Sequence, residues 1–222
     1  MQAAEKIEHS IIEEKEIIPP KGHYELYKRV FDVTFALFLL PFLLPLMLLI
    51  ALLIKLDSRG PVVFVQKRNG YRGKEFDCYK YRTMIPNAED LKQSLQHLNE
   101  MGGPVFKIRE DPRLTRIGKY LRRYSFDEFP QIFNILKGEM SFVGPRPPTP
   151  DEVVEYKQWH MQRLTVKPGL TCLWQISGRN NIQDFDEWVS KDIEYIKKAS
   201  IKEDLKIILK TIPVVFTKKG AY

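Results

Sequence analysis

Between Val33 and Ile54 the chain runs VTFALFLLPFLLPLMLLIALLI, 22 residues without a charge. The core of a soluble domain seldom holds so long an apolar run, and its default place is a membrane. At ~1.5 Å per residue a straight helix of this length reaches about 33 Å, enough to cross the hydrocarbon layer. Two features pull against a simple crossing. Pro41 and Pro45 lie near the middle, where each removes a backbone donor and strains the preceding turn, so they mark the expected break in the membrane helix. Basic residues also flank both ends: Lys28 and Arg29 before, then Lys55, Arg59, Lys67, Arg68, Arg72 and Lys74 after. The positive-inside preference draws both flanks to the cytoplasmic face. A bent helix that enters and leaves on one side satisfies it, whereas a spanning helix does not. The expected layout is a polar N-terminal tail over 1–27, a re-entrant membrane helix over 28–58 with a spanning helix as the alternative, and a cytoplasmic domain over 59–222 seated on the inner leaflet.

The remaining composition excludes several classes. Lys and Arg number 35 against 28 Asp and Glu, a net charge of +7. That surplus favours acidic lipid, phosphorylated substrates or nucleic acid, and the apolar segment disfavours the last. Cys78 and Cys172 are far apart, and none of the four histidines has zinc-ligand spacing, so two buried thiols in a reducing compartment are expected instead of a metal centre. The first 20 residues lack a signal-peptide pattern, which argues against export of the whole protein. GxGxxG and GxxxxGK[ST] are both absent, and strands do not alternate with helices, which disfavours a dinucleotide-binding sheet.

Local patterns give an α+β fold, mainly helical with one β-hairpin. Val62 to Gln66 and Glu75 to Tyr79 are the expected strands, with Asn69-Gly70 and Arg72-Gly73 supplying turn chemistry. Helical spacing predicts helices over Asn87 to Met101, Leu114 to Tyr124, Phe129 to Leu136 (ending near Gly138), Val153 to Leu164 and Asp184 to Lys198. Ile201 to Lys219 has apolar residues at helical spacing with Lys202, Lys206 and Lys210 between them. It suits either an interfacial helix on acidic lipid or an ordinary packed surface helix. SFVGPRPPTP and LTVKPGLTCLWQISGRNN are expected to be irregular.

Four places could carry chemistry. In LRRYSFDEFPQ the adjacent carboxylates Asp127 and Glu128 follow Arg122 and Arg123. Such a pair can divide labour as nucleophile or metal ligand and as acid/base or second ligand. It can equally be the first turn of a helix capped by Ser125. Lys80 and Arg82 alternate in a strand-like segment, which would place two cations on one face, for a diphosphate or simply for water. Arg146, between prolines, is a stiffly held cation or a surface turn. Arg179 and Asn180, after Ser177-Gly178, could read a nucleotide or cap the next helix.

Taken together and in order, KRVFDVTFALFLLPFLLPLMLLIALLIK, GPVVFVQKRNGYRGKEFDCYKYRTM, DPRLTRIGKYLRRYSFDEFPQIFNILKGEMSFVGPRP and KPGLTCLWQISGRN resemble the bacterial sugar transferases, the monotopic polyprenyl-phosphate phosphoglycosyl transferases. The resemblance covers roughly Lys28 to Asn181 and continues more loosely to about Val215. It implies that Asp127 attacks the sugar-bearing phosphate of a UDP-sugar, that Glu128 assists it, and that both help to hold a Mg²⁺ ion. UMP leaves, and the phosphosugar passes from the carboxylate to undecaprenyl phosphate. Lys80, Arg82, Arg122 and Arg146 become the candidates for binding substrate phosphate, and Arg179 and Asn180 the candidates for the nucleotide. The wording around Trp174 to Gly178 and the stretch from Asn87 to Pro112 look like relatives that use UDP-glucose or UDP-galactose. The resemblance further implies the bacterial inner membrane as location, inner-membrane lipid as partner, homo-oligomers as an open option, and a role at the first membrane step of exopolysaccharide, capsule or O-antigen synthesis. Where the family has a Ser-Pro pair at the helix bend, this chain has Leu44 before Pro45, so Pro41 is expected to share the bending. With about 28 residues before the shared region, the chain is expected to be a minimal catalytic form or a truncated one.

Overall fold

The structure is a computed structural model and describes residues 22–178, 182 and 184–216. The apolar run forms the middle of α1 (His23–Asp57), a helix of 35 residues whose backbone continues through Pro41 and Pro45. One stripe of α1 is covered. Asp32, Ala36, Met47, Ile50 and Ile54 are buried, with Tyr24, Leu39, Leu40 and Leu43 packed beside them, the spacing of a single helical face. The opposite face is open, with Phe42 69% and Leu48 64% exposed. Only 17% of the most apolar 18-residue stretch is buried, so α1 is not the core helix of a soluble domain.

Polar contacts fasten both ends of this stripe to the same domain. Near the N-terminal end Lys28 Nζ lies 2.7 Å from Asp204 Oδ2, and Arg29 donates to the carbonyls of Ile135 and Leu136 at 2.6 and 2.7 Å. Ser141 Oγ and the Phe142 N–H donate to Asp32 Oδ1 at 3.0 and 3.1 Å. Near the C-terminal end the Tyr81 hydroxyl donates to the Met47 carbonyl at 2.9 Å. The Ile117 N–H donates to Asp57 Oδ2 at 3.2 Å.

The hairpin forms as expected, from β1 (Val63–Asn69) and antiparallel β2 (Glu75–Tyr81), with Phe64 opposite Lys80 and Gln66 opposite Cys78. Next come α2 (Arg116–Arg123), capped by Thr115, whose hydroxyl accepts from the Gly118 N–H, and a short 3-10 turn, Phe126–Glu128. Then α3 (Gln131–Lys137) ends at Gly138, which takes the left-handed conformation (φ 84°) that closes a helix without a Cβ clash. The rest of the chain is β3 (Ser141–Val143), α4 (Pro150–Val154), a 3-10 segment (Gln158–Thr165), β4 (Gly169–Thr171), α5 (Leu173–Ile176), α6 (Phe185–Lys198) and α7 (Ile201–Phe216). The mixed helix-and-strand class with one long apolar helix stands. Residues 1–21 and 217–222 lie outside the described residues.

Three local expectations are corrected. Asn87 to Met101 is not a helix but a series of turns with one 3-10 turn, Gln96–Leu98. Its Leu91 and Leu98 stay exposed, so no packed face rewards helix formation. Asn99 instead holds a loop, donating to the Met101 and Val105 carbonyls and accepting from the Lys107 N–H. The helix expected over Val153 to Leu164 splits into α4 and the 3-10 segment. Thr149 and Glu152 form a capping box that starts the first piece early, and Tyr156, between the two pieces, packs edge to face on His160 of the second. The stretches expected to be irregular contain β3 and β4, a parallel pair with Ser141 opposite Gly169 and Val143 opposite Thr171. Glycine permits that approach: a Cβ on Gly169 would lie 2.0 Å from the Gly144 nitrogen.

Asp32→Ala would leave the Ser141 and Phe142 donors buried without their acceptor. We predict a loss of about 1–3 kcal/mol, read as a lower thermal-unfolding midpoint in detergent; an unchanged midpoint would show that this tether is dispensable.

Candidate active site

Successive residues of a strand point to opposite faces, and paired residues across a hairpin share a face. The register therefore puts Phe64, Gln66, Arg68, Cys78 and Lys80 on one face, and all five line a cavity of about 720 Å³. This volume suits a nucleotide-sugar-sized ligand. The 3-10 turn that carries Asp127 and Glu128 closes one wall. Arg122 from the end of α2, Gln131 from the start of α3 and Arg146 from the proline loop after β3 complete it.

The acidic pair is not presented as an ordinary helix cap. Ser125 sits in the left-handed region (φ 57°), and its side chain makes no cap hydrogen bond to the turn. Asp127 is buried within the cavity wall. Glu128 Oε1 pairs with Lys80 Nζ at 2.8 Å, both side chains about one-fifth exposed. The flanking rings, Phe126 and Phe129, pack on the cluster formed by Met47, Ile50 and Ile54 of α1 with Tyr81 and Leu121. The carboxylate pair is thus flanked on each side by a ring of this cluster.

The cations take different positions. Arg122 Nε donates to Thr83 Oγ1 at 3.0 Å. Arg146 Nη1 lies 3.6 Å from Glu152 Oε1, and its guanidinium stands over the Trp188 ring. Arg82 also borders the cavity, but its guanidinium serves the turn after α1. Nε donates to the Pro61 carbonyl at 2.5 Å, Nη1 to Ser58 Oγ at 2.8 Å and Nη2 to the Ser58 carbonyl at 2.9 Å. Arg179 and Asn180 lie outside the described residues.

Arg68 went unrecognised in the sequence as a site residue, although its place in the hairpin register, on the face that carries Lys80, was the signal. It is buried, with Nη1 donating to the Pro147 carbonyl at 2.8 Å and Nη2 to Gln66 Oε1 at 2.6 Å. Burial and the neighbouring Arg146 push its pKa down to about 10. Two arginines held side by side in a partly enclosed wall are a place where an anion relieves repulsion.

Among the described residues no cluster of three or more Asp, Glu, His or Cys converges. Mg²⁺ does not need one: it is commonly held by one or two carboxylates, water and substrate phosphates. Asp127 and Glu128 fit that donor set.

A sequence profile described as bacterial sugar transferase matches residues 23–218. The chain belongs to the bacterial sugar transferase family. Among its relatives, the galactosyl transferase CpsE of Streptococcus agalactiae serotype III (strain NEM316) is 48% identical over 201 residues, 90% of this chain and 44% of that protein. The undecaprenyl-phosphate galactose phosphotransferase of Salmonella typhimurium is 39% identical over 199 residues, 88% of this chain and 41% of that protein. The exopolysaccharide production protein ExoY of Rhizobium meliloti is 40% identical over 216 residues, 96% of this chain and 94% of that protein. This sugar transferase chain therefore spans less than half of the first two relatives and nearly all of the third.

In this member of the family, the position of Arg122 rests on a glycine. A Cβ on Gly118 would lie 2.0 Å from the Thr83 carbonyl oxygen, so α2 touches the backbone beside β2 only because residue 118 has no side chain. Gly118→Ala is predicted to destabilise the protein by about 1–3 kcal/mol, measured by thermal denaturation; a neutral effect would mean that α2 can shift without cost.

Proposed function

We propose that this chain transfers a hexose 1-phosphate from UDP-galactose or UDP-glucose to undecaprenyl phosphate and releases UMP. The observation that carries the reading is the place of Asp127 and Glu128: in a cation-lined cavity on one side, and between rings packed on the cluster that includes Met47, Ile50 and Ile54 of the apolar helix on the other. A water-borne nucleotide sugar and a lipid-borne phosphate would meet there. The name of the Salmonella relative supports the acceptor and the transferred group.

The chemistry follows from the residues as two displacements at one phosphorus. An Asp127 carboxylate oxygen bonds to the sugar-bearing phosphorus as the bond to the UMP oxygen breaks. A phosphate oxygen of the polyprenyl carrier then bonds to the same phosphorus and frees Asp127. An anionic nucleophile approaching an anionic diphosphate needs fixed positive charge. Lys80, Arg122, Arg146 and Arg68 supply it, while Arg82 braces the turn that ends α1. Lys80 holds Glu128 in place at 2.8 Å, so that Glu128 can orient the donor or accept a proton. When bound, Mg²⁺ would offset charge on the diphosphate, with Asp127 and Glu128 holding it.

The re-entrant arrangement is supported by the tethers at both ends of α1, which keep Lys28 and Asp57 against one domain. Pro41 and Pro45 are both on the exposed side. A proline opens the turn on its own side, which favours curvature toward the domain. In α7, Leu205, Leu209 and Ile212 are exposed, with Lys202, Lys206 and Lys210 also exposed between them, a pattern suited to an anionic membrane surface. We place the protein on the cytoplasmic face of the bacterial inner membrane, at the start of polysaccharide assembly.

Purified protein mixed with Mg²⁺, undecaprenyl phosphate and UDP-galactose or UDP-glucose is expected to release UMP, with Asp127→Asn slower by on the order of 10³-fold or more. Release of UDP, or full activity in Asp127→Asn, would contradict the mechanism. Cysteines introduced at Gly22 and Ser58 should react with an impermeant reagent from the same side of sealed vesicles; opposite exposure would rule out the re-entrant helix.

A further inference from the structure

The proline loop that carries Arg146 does not hold itself in place. Behind it, Arg163 of the 3-10 segment and Asp192 of α6 are almost wholly buried, their side chains 2% and 1% exposed, with Nη2 2.7 Å from Oδ2. The approach is a close ion pair, and the Trp188 side chain also stabilises the Asp192 carboxylate. Arg163 makes two further hydrogen bonds. Nη1 donates to the Tyr156 hydroxyl at 2.5 Å, and Nη2 donates to the carbonyl oxygen of Arg146 at 3.2 Å.

The same helix supports Arg146 from below. Trp188 and Asp192 are four residues apart on α6 and so share one face. Trp188 stacks on Trp174 with ring centroids 3.9 Å apart and planes 6° apart. The Arg146 guanidinium carbon stands 5.7 Å from the Trp188 ring centroid. The Arg163 guanidinium lies 5.6 Å from the same ring. Two arginines thus meet on one indole, one facing the cavity and the other sealed in the core.

A buried ion pair contributes little net stability compared with apolar side chains of the same volume. Burial pushes the Asp192 carboxyl up to about 6 even beside Arg163, which marks the cost of holding its charge there. What the pair does supply is direction: a planar guanidinium with its charge balanced from behind can fix a main-chain carbonyl at one place.

We propose that Arg163, neutralised by Asp192, is a positioning residue that fixes the backbone of Arg146 and so aims the Arg146 guanidinium at the donor's diphosphate. This rests on the phosphoglycosyl transfer reading. Arg163 touches no substrate; it acts through Arg146.

Steady-state kinetics of UMP release test this. With folding checked by thermal denaturation, Arg163→Lys and Asp192→Asn should raise KM for the UDP-sugar by about tenfold, the size of one charge-assisted contact, with kcat within about threefold. A merely structural role would lower the active fraction and leave KM alone. Because the effect passes through Arg146, adding Arg163→Met to Arg146→Gln should raise KM no further than Arg146→Gln does alone. If the Arg163 and Asp192 variants do not fold, Tyr156→Phe, which removes one acceptor of Arg163, should still raise KM measurably. An unchanged KM in every folded variant, or an additive double variant, would overturn the positioning role. Failure of the wild-type protein to release UMP from either sugar nucleotide would instead sink the functional reading itself.

Discussion

The packing of one stripe of α1 along the domain governs the rest of the molecule. A helix this apolar would otherwise be free to stand across a bilayer. Here Lys28, Arg29 and Asp32 hold one end to α7, α3 and β3, and Met47 and Asp57 hold the other to β2 and α2. The side chains left over form an open apolar face. Phe126 and Phe129 pack on the cluster that joins Met47, Ile50 and Ile54 of α1 to Tyr81 and Leu121, so the acidic pair between them is tied to the covered stripe of α1 through that cluster. The packing of the apolar helix and the placement of the carboxylates thus share one cluster.

The cavity shows how few regular elements are needed to gather charge. A two-stranded hairpin supplies Arg68 and Lys80 from one face, and the loop after β3 supplies Arg146 across from them. The glycine-permitted contact between β3 and β4 sits under that loop, and the capping box of α4 presents Glu152 to Arg146. Carboxylates are thus interspersed with the cations. Glu128 answers Lys80 and Glu152 answers Arg146, so the site can stay charged and compact before an anion arrives.

Much of this was legible in the sequence because it rests on strong local signals. The uncharged run, the Asn-Gly and Arg-Gly turn and the Gly138 stop each name an element by a residue type that little else explains. The stretch from Asn87 to Met101 misled because helical spacing is only an opportunity. With Leu91 and Leu98 unpacked, the hydrogen bonds of Asn99 decide the shape. The strands β3 and β4 are three residues each, too short for alternation to register, and α4 and the 3-10 segment lie between them. Among the site residues, Lys80, Arg122 and Arg146 come together around Asp127 and Glu128. The binding of Arg82 to Ser58 and Pro61 could not be read from its alternation with Lys80, because its partners lie 24 and 21 residues earlier, in the turn that follows α1. Arg68 needed the hairpin register, which propensity alone does not fix.

The claim on which the account stands is that Asp127 itself carries the sugar phosphate between donor and acceptor. Intact-mass measurement after brief mixing with UDP-sugar and Mg²⁺ in the absence of undecaprenyl phosphate tests it most directly. The expected result is a protein heavier by one hexose phosphate, with the adduct mapped to Asp127 and discharged when the lipid phosphate is added. Protein that stays unmodified under conditions in which the complete mixture turns over, or an adduct on another residue, would contradict it.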